Sequence, residues 1–220
     1  MSDSKQTVAV IGGTGALGSG LAGRLAKAGY PIILGSRDAG KAAEAAKTMG
    51  QASGGKISGM SNADAARAAD IVLMTIPWSN HTAMIAEIKP HVAGKIVIDS
   101  TVPLVPPRVA RVQLPPADSA AVTAQQALGE TTRVVAAVQH VAAEKLQKDM
   151  DIDCDVLVCG DKPEDREVVI ALCKAAGLRG LHAGPLANAT AAEALTSVLI
   201  GINRTYKVEG AGIRITGIAG

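Results

Sequence analysis

Short β-branched runs alternate with alanine-rich stretches of helical period along almost the whole chain. Apolar runs at residues 7–11, 31–34, 56–58, 71–76, 95–98, 133–138, 155–158 and 180–183 read as strands. Between and after them, residues 16–28, 39–49, 62–69, 82–88, 120–128, 142–149, 163–176 and 188–206 read as helices. Most of the strand runs are continuously apolar, as strands covered on both faces must be. This βαβ order predicts an α/β protein, a Rossmann-type doubly wound parallel sheet with a smaller C-terminal lobe.

One segment breaks the alternation. Residues 100–119 carry Pro103, Pro106, Pro107, Pro115 and Pro116, which exclude regular helix and interior strand. A loop of that length in a compact fold is usually functional or joins two lobes, and this one starts where the fifth strand ends. A division near Leu128 is expected, giving residues 1–128 and a smaller lobe at 129–220.

Composition narrows the function. The 220 residues are 48% hydrophobic with a formal charge of +2, enough for one sizeable core. No Lys/Arg block occurs, and one Trp, two Tyr and no Phe offer almost nothing for bases to stack on, so neither nucleic acid nor a membrane surface is the expected partner. No apolar run reaches the ~18 residues of a membrane span, and residues 1–5 lack the pattern of a signal peptide. A soluble cytoplasmic protein is expected. Three scattered cysteines do not make a disulfide framework, and His81, His91, His140 and His182 show no ligand spacing, so no metal is expected.

The first strand runs straight into Gly13-x-Gly15-x-x-Gly18. In a strand–turn–helix context these glycines serve a tight turn, close backbone approach to a pyrophosphate and close helix–strand packing, with the following helix N-terminus facing the phosphates. The end of the second strand then speaks to the choice of dinucleotide. NAD sites usually place Asp or Glu there, whereas this chain has Gly35-Ser36-Arg37, with Lys41 one helical turn on. A hydroxyl and two cations suit a 2′-phosphate, which predicts NADP(H). Asp38 is the competing feature, because a strand one residue longer would bring its carboxylate to the ribose.

The runs Gly12-Gly-Thr-Gly-Ala-Leu-Gly18, Gly35-Ser-Arg37, Thr75-Ile-Pro-Trp78, Pro103-Leu-Val-Pro106, Cys159-Gly-Asp161, Ala183-Gly-Pro-Leu186 and Glu193-Ala-Leu-Thr196 occur in order over nearly the whole chain. In these the sequence resembles the NADPH-dependent reductases of the 8-hydroxy-5-deazaflavin coenzyme, the coenzyme F-420:NADP oxidoreductases. The resemblance implies that Thr14, Gly15, Ala16, Leu17, Ser36, Arg37, Lys41, Ile76, Val102 and Ala143 hold NADP(H). It places coenzyme F-420, as co-substrate, over the nicotinamide near Gln139, His140, Val141, Ala142 and Thr196. Residues 1–128 would then bind the dinucleotide and residues 129–220 the acceptor, with hydride passing directly between stacked rings and no catalytic acid or base.

Departures from the family bear on the acceptor. Gln139 stands where archaeal members carry His, and Thr190 and Ala194 stand where they carry Arg and Ser. Two other readings remain open: an NADPH-dependent reductase of a small carbonyl or imine, for which His140 is the candidate proton donor, and a non-catalytic NADPH-binding redox module. Trp78 reads equally as core or as a crevice wall. The apolar stretch 194–202 on the last helix suggests a two-fold interface, and a homodimer is expected.

Overall fold

The computed structural model describes residues 5–218. Six strands, β1 (Val8–Ile11), β2 (Ile32–Ser36), β3 (Ile57–Ser61), β4 (Ile71–Met74), β5 (Ile96–Asp99) and β6 (Arg133–Ala136), form a sheet in the order β3-β2-β1-β4-β5-β6. All five pairings are parallel, with Val8 opposite Ile32 on one side and Ile71 on the other. This is the doubly wound order of dinucleotide-binding folds.

Helices cover both faces because a strand's side chains alternate. Val8 and Val10 of β1 join one core with Leu21 and Leu25 of α1 (Ala16–Lys27) and Ala46 of α2 (Ala39–Ser53). Ala9 and Ile11 join the other, with Ala65 and Ala66 of α3 (Asn62–Ala68), Ile85 and Ile88 of α4 (His81–Ile88), and Ala121 and Ala124 of α5 (Ala120–Leu128). Each fully buried Val or Ile contributes about 1.5–3 kcal/mol, so the inner strands anchor the whole arrangement.

A short helix α6 (Ala143–Leu146) precedes β7 (Asp155–Val158), α7 (Pro163–Ala175) and β8 (Arg179–His182). The parallel pair β7-β8 meets the edge of the main sheet through an antiparallel bridge, in which Ala136 and Cys159 exchange N–H···O bonds of 2.8 and 3.0 Å. The long α8 (Ala189–Tyr206) packs on α5. Residues 100–119 form neither helix nor strand, as their prolines require.

Several boundaries differ from the periodicity. The helix expected at 142–149 stops at Leu146, because the Arg24 guanidinium takes the carbonyls of Leu146, Lys148 and Met150 at 2.9, 2.6 and 2.8 Å. The strand expected through Ile76 ends at Met74, where the Thr75 hydroxyl donates to the Ile11 carbonyl at 2.8 Å. The strand expected through Val138 ends at Ala136, and Val138 turns away with φ of +71°, an unusual conformation for a β-branched residue.

Candidate functional site

The carboxyl ends of β1, β2, β4, β5 and β6 converge on one edge, with β1 and β4 flanking the point where strand order reverses. Val10 and Ile11 deliver the chain into Gly12, which has φ of +77°. Gly12 therefore supplies the tight turn that the spacing assigns to Gly13. Gly13 is needed for another reason: a Cβ there would lie 2.8 Å from the Val10 carbonyl oxygen and 2.9 Å from Leu34. At Gly18 a Cβ would lie 2.6 Å from the Thr75 hydroxyl and 2.7 Å from the Gly12 carbonyl oxygen, so this residue is where α1 closes on the strands.

Gly15 behaves differently. Its nearest neighbour to an added Cβ is the Gly12 carbonyl oxygen at 3.3 Å, and it caps α1 with no side-chain hydrogen bond. By contrast Asp38, Ser61 and Ser119 cap α2, α3 and α5 with their own oxygens. The first N–H groups of α1, around Thr14, Ala16 and Leu17, thus form a positive helix end beside a turn without side-chain bulk. That cradle fits a pyrophosphate.

Beyond β2, Thr14, Ser36 and Lys41 line one open cleft of about 480 Å³, together with Glu44, Ala45, Thr48 and Met49. Arg37, next in sequence to Ser36, is exposed. Asp38 is drawn into α2 instead: its carboxylate accepts the Lys41 backbone N–H at 3.0 Å, and its own N–H donates to the Ser36 hydroxyl at 3.2 Å. Lys41 and the hydroxyls of Thr14, Ser36 and Thr48 line the cleft together with the Glu44 carboxylate, and with the neighbouring Arg37 this cationic, hydroxyl-rich end of β2 fits a 2′-phosphate.

The other predicted residues separate by burial. Ile76 lies beside Gly12, its Cγ2 3.0 Å from where a Gly12 Cβ would stand. Val102 follows β5, and Ala143 opens α6; all three are half-buried. Gln139 is buried, its amide nitrogen donating to the Asp99 carbonyl at 3.1 Å and its carbonyl accepting the Thr196 hydroxyl at 3.0 Å. The Gln139 side-chain oxygen has no protein partner among the described residues. Val141 packs into the core with Leu21 and Leu146, so it cannot floor a ring site; Ala142 is half-buried and approached by the C-terminal tail at Gly210. His140 is buried, with Nε2 donating to the Asp155 carbonyl at 2.8 Å, and burial lowers its pKa.

Residues 7–103 match the family model described as NADP oxidoreductase, coenzyme F420-dependent. The chain is 40% identical to the F420-dependent NADP reductase of Methanocaldococcus jannaschii, over 96% of this chain and 98% of that protein. It is 38% identical to the F420-dependent NADP reductase of Methanothermobacter thermautotrophicus, over 96% and 95% of the two chains. The chain belongs to the F420-dependent NADP oxidoreductase family. A crystal structure from Arthrobacter sp. FB24, 24% identical, superimposes with a TM-score of 0.80 over 96% of this chain and 99% of that one, which gives the same fold.

Within this family member, three buried groups lie behind the strand ends that motif reasoning did not single out. His81 Nε2 and Asp99 Oδ2 are 2.7 Å apart with neither side chain exposed, and the Asp99 carboxylate also accepts the Thr101 N–H at 2.9 Å. Trp78 is half-buried and lies against the buried His81, ring centroids 5.0 Å apart, so the tryptophan packs on the core. Glu193 of α8 accepts the N–H groups of Ala120 and Ala121 at 2.7 and 3.1 Å. Burial, with Asp99 nearby, raises its carboxyl to about 8. Their separations in sequence, 18 residues for the first pair and more than 70 for the last, leave no local signature. Among the described residues no group of three His, Cys, Asp or Glu could hold a metal ion, and no helix is long and apolar enough to cross a membrane.

Proposed function

We propose that this protein transfers a hydride between NADP(H) and the deazaflavin coenzyme F-420, the two rings stacking directly. The full-length identity of 40% to an F420-dependent NADP reductase carries this reading. The geometry supports its nucleotide half: Gly13, Gly15 and Gly18 shape a cradle for the pyrophosphate, while Ser36 and Lys41 line a cleft suited to the 2′-phosphate, with Arg37 next in sequence to Ser36.

In this reading the α1 N-terminus fixes the phosphates, and Ile76, Val102 and Ala143 flank the nicotinamide half. Gln139 and Ala142, with Thr196 behind Gln139, line the acceptor side. When both are bound, nicotinamide C4 and deazaflavin C5 supply the hydride donor and acceptor. What the protein supplies is placement of two flat rings and exclusion of water, effects worth several orders of magnitude in rate. His140 is aimed at the Asp155 carbonyl inside the fold, which weighs against a carbonyl reductase using it as acid. Residues 1–128 serve the dinucleotide and 129–220 the acceptor.

A cytoplasmic homodimer completes the proposal, with no nucleic-acid or membrane partner. Val198, Ile202 and Tyr206, four residues apart on α8, are exposed at 47%, 37% and 73% and would form its apolar seam. The test is to mix pure protein, NADPH and oxidised deazaflavin and follow the deazaflavin absorbance, with small ketones and cyclic imines as alternative acceptors. Turnover of an imine or ketone without deazaflavin reduction would overturn the proposal.

A further inference from the structure

We propose that Glu193 is a positioning residue for the electron acceptor, acting through Thr196 and Gln139; this rests on the reading that Gln139 and Ala142 face the deazaflavin. Glu193 and Thr196 are one turn apart on α8 and reach in two directions. The Glu193 carboxyl receives two consecutive backbone N–H groups at the start of α5, 2.7 Å from Ala120 and 3.1 Å from Ala121. The Thr196 hydroxyl meets the Gln139 carbonyl at 3.0 Å. Two acceptor oxygens matched to two parallel donors fix the side chain in rotation as well as distance.

What this fixes is the loop-to-helix junction as well as α8. Residues 120 and 121 open α5 directly after the proline-rich segment that begins after β5, and Ser119 caps the same helix through the Val122 N–H at 2.9 Å. Val102 and Pro103 at the head of that segment share a small recess with Glu193 and Ala194. The carboxyl therefore ties together the segment beside the nicotinamide position and the helix that holds Gln139. Gln139 sits just past Val138, whose left-handed backbone leaves this turn dependent on outside support. Without Glu193, α8 loses its hydrogen bonds to the start of α5, and Thr196 holds the Gln139 carbonyl less firmly in place.

Glu193→Gln keeps the shape but offers one acceptor oxygen to two N–H groups, turning an amide NH2 against one of them. Thr196→Val removes only the hydroxyl. Dissociation constants for oxidised deazaflavin and for NADPH are measured by fluorescence, thermal unfolding is followed in parallel, and steady-state kinetics separate KM from kcat. We expect each variant to raise the deazaflavin Kd and KM by roughly 5- to 10-fold, the loss of one buried hydrogen bond, while the NADPH Kd stays within about 2-fold. The double variant should be little worse than either single one, because both act along one path. An unchanged deazaflavin Kd in folded Glu193→Gln, additive losses, or an equal loss of NADPH affinity overturns the inference. Should Glu193→Gln fail to fold, Thr196→Val decides alone, and an unaltered deazaflavin Kd there has the same force. If the unmutated protein binds no deazaflavin, the acceptor reading and this inference fall together; if it does, only the inference is at stake.

Discussion

The Asp38 carboxylate accepts the backbone N–H of Lys41 at 3.0 Å, so the one acidic residue near the end of β2 is engaged as the cap of α2. In the proposed site the ribose side is left to Ser36, Arg37 and Lys41, with Glu44 lining the same cleft. NADPH should therefore bind at least ~10-fold more tightly than NADH, since a charge-assisted hydrogen bond contributes about 1.5–3 kcal/mol. Arg37→Ala should remove most of that preference. Titrations of both cofactors into both proteins decide the matter, and equal affinities in the unmutated protein would remove the assignment.

Gly15 and Gly18 should separate binding from folding. A Cβ at Gly15 meets only the Gly12 carbonyl oxygen, at 3.3 Å, whereas one at Gly18 would stand within 2.8 Å of Thr75, Gly12 and Gly13 atoms. Gly15→Val should keep its circular dichroism spectrum and lose NADPH binding, its branched side chain occupying the phosphate approach. Gly18→Val should lower the unfolding midpoint itself, a close-packing defect of about 1–3 kcal/mol. A folded Gly15→Val that retains micromolar NADPH affinity would mean the phosphates lie elsewhere.

The contrast between these two glycines shows how far the sequence could be read. Strand and helix periodicity, governed by burial on both faces of a parallel sheet, indicated all eight strands and the doubly wound class. The glycine spacing indicated the cradle, because the motif is local. It misassigned the turn to Gly13, since only the backbone reveals that Gly12 has positive φ and that Gly13 instead faces Val10 and Leu34. Burial of Val141 was equally hidden, because a valine in a small-residue run reads the same whether it faces the crevice or Leu146. The His81–Asp99 and Glu193–α5 contacts join distant segments and leave no periodic trace, so only tertiary structure shows them.

Asp155 should make the protein acid-labile. Its buried carboxylate accepts both nitrogens of a bidentate Arg179 at 2.6 and 2.7 Å, Arg214 at 3.2 Å and the Ile215 N–H at 2.7 Å, which hold it at about 2 against an ordinary 3.8. A depressed carboxyl contributes stability that is complete above 3.8 and is lost as pH falls toward 2. Asp155→Asn should lower the unfolding midpoint at neutral pH and flatten its decline between pH 4 and about 2. An unaltered acid limb in the variant would show that other carboxyls govern it.

Glu193 carries the opposite sign. Burial raises it from 4.5 to about 8 despite the Ala120 and Ala121 N–H groups, with Asp99 of β5 adding to the rise; Cys159 after β7 also lies in its field. The folded state then binds a proton that the unfolded state has released, so stability should fall as pH rises from about 4.5 toward 8. Glu193→Gln should remove that slope. Thermal unfolding of both proteins across this range checks it, and identical slopes would place the ionised carboxylate in the fold throughout.

His140 tests the chemistry. Its Nε2 donates to the Asp155 carbonyl at 2.8 Å, its Nδ1 has no protein partner among the described residues, and burial lowers its pKa, so the ring is neutral near pH 7 and holds β7 to the turn after β6. Hydride transfer between two stacked heterocycles needs no acid from the protein, whereas loss of a general acid costs about 10²–10⁴-fold. His140→Gln retains a side-chain N–H near Nε2 and should alter the single-turnover rate by less than ~10-fold, within what altered ring placement causes. It should lower the unfolding midpoint modestly through lost packing. Deuterated NADPH would confirm that the measured step is hydride transfer. A thousand-fold slower rate, with NADPH affinity and fold intact, would instead mark His140 as the proton donor and favour reduction of a small carbonyl or imine.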